Sequence, residues 1–87
     1  MPYVKQEVQD YLDPKLADIL EVVPHLDEGA LNYILTRIVV TWVGRAYNYA
    51  RLNTAHGTFF SAAAEFYRRV VVPYENAKRD ENGEVYL

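Results

Sequence analysis

The sequence contains no cysteine. Disulfides, thiolate zinc sites and cysteine nucleophiles are therefore all excluded. Glycine is scarce, with four in the chain, and no glycine-rich loop of the kind that cradles phosphate appears. A Gly-x-Ser-x-Gly nucleophile elbow is also missing. No apolar run exceeds three residues, as at Val70–Val72, far short of the roughly 20 that a membrane-spanning helix needs. The start, "MPYVKQEVQDYL", lacks the apolar stretch of a signal peptide. Positive charge is not in excess either. Nine Lys and Arg face twelve Asp and Glu, for a net charge of −3 and a pI near 5.2. A chain that grips duplex nucleic acid through phosphates ordinarily carries a basic face, so that partner is not expected.

What is abundant is apolar and aromatic material. In 87 residues the hydrophobic set is 51% and aromatics 14%, with eight tyrosines. A domain of about 10 kDa buries only about 60–65% of its unfolded surface, which makes it marginal as a monomer. Tyrosine suits interfaces, because its ring can be buried while its hydroxyl stays hydrogen-bonded. Length and composition point to a single domain over residues 1–87 that associates with itself, and the short apolar runs and the absence of a signal peptide point to the cytoplasm, without contact with a membrane.

The spacing of apolar residues is helical throughout. Lys5 to Leu12 is expected to form a first short helix or turn. At "DPKLADILEVV" a new helix is expected, with Asp13 as cap and Pro14 at the first helical position, where its missing N–H is no loss. Leu16, Ile19, Leu20 and Val23 make its stripe, and Pro24 ends it. Asp27 and Glu28 open the next helix by placing negative charge at its positive end. Its stripe is Leu31, Ile34, Leu35, Ile38 and Trp42, and Gly44 stops it. Tyr47 and Tyr49 are expected to plug the following junction, and Tyr33 either stacks with Arg37 or makes an exposed contact.

A long last helix is expected from about Asn48 towards Asp80. Leu52, His56, Phe59, Ala63, Phe66 and Val70 alternate in steps of four and three, the seam of a helix packed along its length. Pro73 cannot donate to the Arg69 carbonyl, so a kink or break is expected there. Gly83 suits the position just past the helix end, and "EVYL" beyond it reads as a short extended segment. The fold class is all-α: three to four helices in a small bundle, the last one long and kinked at proline.

Candidate chemistry is sparse. His25 follows Pro24 in a loop and reads as solvated; His56, on the seam, reads as a buried, hydrogen-bonded histidine. The carboxylates do not form the Glu-x-x-His sets of di-metal bundles. No catalytic residue, metal site or cofactor is expected, and the chain does not read as an enzyme. Arg68 and Arg69 beside Tyr67, with Tyr74 and Tyr86 downstream, are the candidate ligand-binding residues. Arginine forks match phosphates and aromatic faces stack on bases, so these residue types fit a nucleotide-like ligand. A plainer reading fits as well. Glu65 precedes Arg68 by three and Arg69 by four, and Glu75 precedes Arg79 by four, which are ordinary helix-surface ion pairs.

"LNYILTRI", "EFYRRVVVPYE" and "ENGEVY", in that order and with "MPYVKQE" at the front, resemble a family of small uncharacterised tailed-phage and prophage proteins. The likeness covers nearly the whole chain, and the "YRRVVVPYE…ENGEVY" ending is its most specific part. The segment "TAHGTFFSAAA" departs from it by being apolar. The resemblance implies a phage accessory product acting in the host cytoplasm and brings no catalytic residues. The expected function is a non-enzymatic homo-oligomer that counteracts a host process, in its sharpest form a sponge for a nucleotide-type immune signal. The alternatives are an inhibitor or adaptor of a host protein, or a minor virion or assembly component.

Overall fold

Residues 2–86 are described by a computed structural model. Three α-helical stretches and a fourth continuing the third make an all-helical chain, with no strand among the described residues. They are α1 (Gln6–Val22), α2 (Glu28–Val43), α3 (Tyr49–Phe66) and α4 (Val72–Asn82). A 3-10 turn at Val23–His25 follows α1, and a π-helical segment at Tyr67–Val71 joins α3 to α4. Because α3, the π segment and α4 follow without a break, the last helix is 34 residues long. The contacts divide the chain into two compact units, residues 2–55 and 56–86, with the division inside α3.

In the first unit, α1 does not begin at Asp13. It starts at Gln6 and carries Pro14 in its interior. The helix crosses the proline because the apolar spacing does: Val8 and Leu12 lie on the face continued by Leu16, Ile19 and Val23. Pro14 forfeits a bond to the Asp10 carbonyl, and on an exposed helix water can satisfy that oxygen. Pro24 does end α1, through the 3-10 turn. At the start of α2, the Asp27 carboxylate accepts from the Ala30 N–H at 2.8 Å, and Glu28 adds negative charge in the first turn. Gly44 closes α2 at φ 74°, in the region that disfavours a side chain.

Tyr47 and Tyr49 do not plug the junction before α3; both are exposed. The junction is held by Arg51. Its guanidinium donates to the Trp42 carbonyl at 2.6 and 3.2 Å and to the Val43 carbonyl at 3.3 Å, and it stacks 3.8 Å from the centre of the Trp42 ring. A cation thus satisfies the orphan carbonyls at the end of α2. The Asn48 side chain caps α3 by accepting from the Arg51 N–H at 2.9 Å.

In the second unit, Pro73 neither stops the helix nor leaves it regular. The Val72 N–H bonds back to Tyr67, five residues earlier, instead of to Arg68. One residue of slack opens the turn ahead of the proline ring, which then sits in the first turn of α4, where a missing donor is tolerated. Gly83, at φ 100°, ends α4, and its N–H bonds the Arg79 carbonyl at 2.7 Å.

Burial is the unexpected feature. Among the described residues only Ala55 is buried. His56 is exposed, against the expectation of a buried seam histidine. The seam that was to cover it is itself uncovered in the single chain: Leu52, Phe59, Phe66 and Val70 all stand exposed.

Candidate functional site

Arg68 and Arg69 lie in the π segment, one turn after Glu65 on α3. Arg68 Nη2 is 2.9 Å from both oxygens of the Glu65 carboxylate, and Arg69 Nε is 3.4 Å from Oε1. The plainer reading of these residues is thus present in the geometry. Its stoichiometry is unequal, however: one carboxylate is shared by two guanidiniums. Glu65 is only 24% exposed in its side chain, whereas both arginines project into solvent. Exposed pairs of this type contribute up to about 1 kcal/mol, so either arginine can exchange its partner cheaply.

Tyr67 stands next to the arginines and is exposed, as is Tyr74 on the first turn of α4. Lys78 Nζ lies 5.8 Å from the centre of the Tyr74 ring. Tyr86 is placed elsewhere. After Gly83 the tail runs beside the last turns of α4 and encloses a groove of about 380 Å³ lined by Glu75, Asn76, Lys78, Arg79, Gly83, Glu84, Val85 and Tyr86. Arg68, Arg69, Tyr67 and Tyr74 do not line it. The five residues singled out from the sequence therefore fall into two places: Tyr67, Arg68, Arg69 and Tyr74 around the π segment, and Tyr86 at the end of α4.

The groove holds charge of both signs. Arg79 pairs with Asp80 at 3.2 Å and Glu84 at 3.9 Å, in place of the Glu75 partner that helical spacing suggested. Lys78 pairs with Glu81 at 3.4 Å, and the Glu84 carboxylate accepts from the Tyr86 N–H at 3.0 Å. The shift from Glu75 to Glu84 follows from Gly83, whose conformation brings the tail back. The spacing of Glu75 and Arg79 gave no sign of it, although the Asn-Gly dipeptide marked a turn. Arg51 on Trp42 was likewise missed, since the two are nine residues apart and on different helices. Among the described residues no cluster of three His, Asp or Glu side chains is placed to hold a metal ion. Among those residues no helix is long and apolar enough to cross a membrane.

The described residues thus form an all-helical chain with a π-interrupted 34-residue helix and a glutamate paired to two arginines. The family described as a domain of unknown function, DUF6899, matches residues 1–85, and the chain belongs to it. No curated protein and no solved structure matches the chain.

Proposed function

We propose that the chain is a non-enzymatic phage accessory protein that works as a homo-oligomer in the host cytoplasm and counteracts a host process, by sequestering a nucleotide-type immune signal. The observation that carries this reading is the turn of Glu65, Arg68 and Arg69. Two exposed guanidiniums share one carboxylate there, next to the exposed Tyr67 ring, on a helix whose apolar face is uncovered. Guanidinium forks hold phosphate bidentately, and a neighbouring aromatic face supplies stacking for a base. Arg68 and Arg69 hold phosphate in this reading, and Tyr67 or Tyr74 stacks on the base. Tyr86, which lines the groove at the end of α4, is apart from them in one chain and is given no contact in this reading. The overall negative charge is no obstacle, since a ligand pocket needs only local positive potential.

Native mass spectrometry of the protein, alone and with a panel of linear and cyclic nucleotides, tests this. A defined oligomer that gains a stoichiometric nucleotide mass is the expected result. An oligomer that binds none of the panel rejects the sponge.

The second reading is an inhibitor or adaptor of a host protein. It is favoured by Val85 and Tyr86, consecutive apolar side chains that are almost wholly exposed on the tail, and its test is a pull-down from host lysate with and without those two side chains. A minor virion or assembly role rests on the phage resemblance alone.

A further inference from the structure

The uncovered seam of the long helix carries information about what covers it. Phe59 is 39% exposed, Phe60 72%, Phe66 59% and Tyr67 51%. At about 200 Å² for a whole ring, the exposed fractions of these four amount to roughly 450 Å² per copy, over half of the ~800 Å² each partner covers in a standard interface. Val70 and Leu52 are exposed along the same seam and extend it.

The order of sizes along the seam selects the occupant and its direction. Large residues occupy one set of seam positions (Leu52, Phe59, Phe66), and smaller ones the other (His56, Ala63, Val70). Two parallel copies in register would meet like with like. Phe59 would face Phe59 and Phe66 would face Phe66, with an Ala63–Ala63 layer between them too thin to close. An antiparallel pair meets large with small, which fills successive layers evenly. With the two-fold axis level with Ser61, Phe59 faces Ala63 of the second copy, Phe66 faces His56, and Val70 faces Leu52. Phe60, one position round from the seam, then comes beside its own counterpart.

Charge selects the same direction. A parallel pair would bring four guanidiniums, Arg68 and Arg69 of each copy, to one level with only two Glu65 carboxylates. The antiparallel pair holds the two arginine turns roughly 24 Å apart along the axis, well beyond the Debye length of about 8–10 Å.

We propose that the seam of the 34-residue helix is the interface of an antiparallel two-fold homodimer centred level with Ser61. This rests on the homo-oligomeric part of the function proposed above and specifies it. The two arginine turns lie at opposite ends of the interface and form two separate sites per dimer.

The chain has no native cysteine, so a single nitroxide can be placed by N76C on α4, away from the seam. Double electron–electron resonance on the labelled protein, with its mass measured under the same conditions, gives the test. A dimer with a label separation of roughly 40–45 Å is expected from the helical rise. A dimer with labels within about 20 Å is parallel, since helices pack 8–10 Å apart, and overturns the direction while leaving self-association intact. A monomer overturns both the interface and the homo-oligomeric reading, and a larger closed oligomer overturns the two-fold pair alone. As a second check, A63F should raise the dimer dissociation constant at least about tenfold by placing ring against ring. The F59A/A63F double variant should recover most of that loss, because each layer again joins one large and one small side chain. An unchanged dissociation constant for A63F overturns the interface.

Discussion

A single carboxylate, Glu65, holds two guanidiniums, and that arrangement separates the functional reading from the plain one. Glu65→Gln removes the charge that competes with an anionic ligand. If Arg68 and Arg69 bind phosphate, the variant binds the nucleotide found in the mass-spectrometric panel several-fold more tightly, while Arg69→Ala binds it at least about tenfold more weakly. Calorimetric titration of the two variants against the native chain checks this; equal affinities would show the arginines to be surface pairing only. The caps are purely structural by comparison. Asp27→Ala loses the bond to the Ala30 N–H and should cost about 1 kcal/mol. For a domain of this size that lowers Tm by roughly 4–8 °C, readable by circular dichroism. Arg51→Ala unpairs the Trp42 and Val43 carbonyls and uncovers the Trp42 ring. Its loss should be of similar size, at about 1 kcal/mol, and Lys at the same position should not restore it, because an ammonium lacks the planar fork.

At the scale of the element, the π segment decides where side chains point. It is one residue longer per turn than an α-helix, so everything beyond Val71 is rotated relative to the face that α3 presents. Pro73→Ala restores the donor to the Arg69 carbonyl and lets the segment tighten to α. Helix stability should rise, and Tyr74 should turn away from its position relative to Arg68 and Arg69. Tm is therefore expected to increase while ligand affinity falls; a fall in Tm would contradict the origin assigned to the π segment. Much of the elements' arrangement was legible in the sequence. The helix start at Asp27 and Glu28, the Gly44 and Gly83 stops and the long helix from Asn48 all follow from local charge and spacing, whereas the Asp27 side-chain bond to the Ala30 N–H does not. Pro14 misled because its immediate neighbours fit a helix start, while the apolar spacing from Val8 to Val23 required continuation. The accommodation at Pro73 was half legible: the lost donor was evident, but the choice of an extra residue over a break depends on the helix to either side. Of the candidate residues, the two arginines and Tyr67 are neighbours because they are consecutive, whereas the placement of Tyr86 with Arg79 follows from the turn at Gly83.

For the molecule as a whole, what matters is the near absence of a core. A chain with 51% hydrophobic residues has only Ala55 buried among those described. The exposed stripe of α1 (Leu12, Leu16, Ile19) and that of α2 (Leu31, Leu35, Ile38) repeat what is seen on α3. Exposed apolar surface on this scale marks association surfaces in soluble proteins. A sequence reports which residues want burial, through periodicity, but not whether they find it in their own chain. The seam position of His56 signals burial for that reason, and in the proposed dimer a second copy covers it. If folding and association are one event, stability must depend on concentration, because mass action favours the assembled state.

Thermal unfolding by circular dichroism across a hundredfold range of protein concentration, with mass measured by sedimentation equilibrium at each, addresses this most directly. A mass at or above twice 10.1 kDa and a Tm that climbs steadily with concentration are the expected results. A 10.1 kDa particle with a cooperative transition at the same temperature throughout would show that the chain folds alone, contradicting the claim that its apolar faces are covered by further copies of itself.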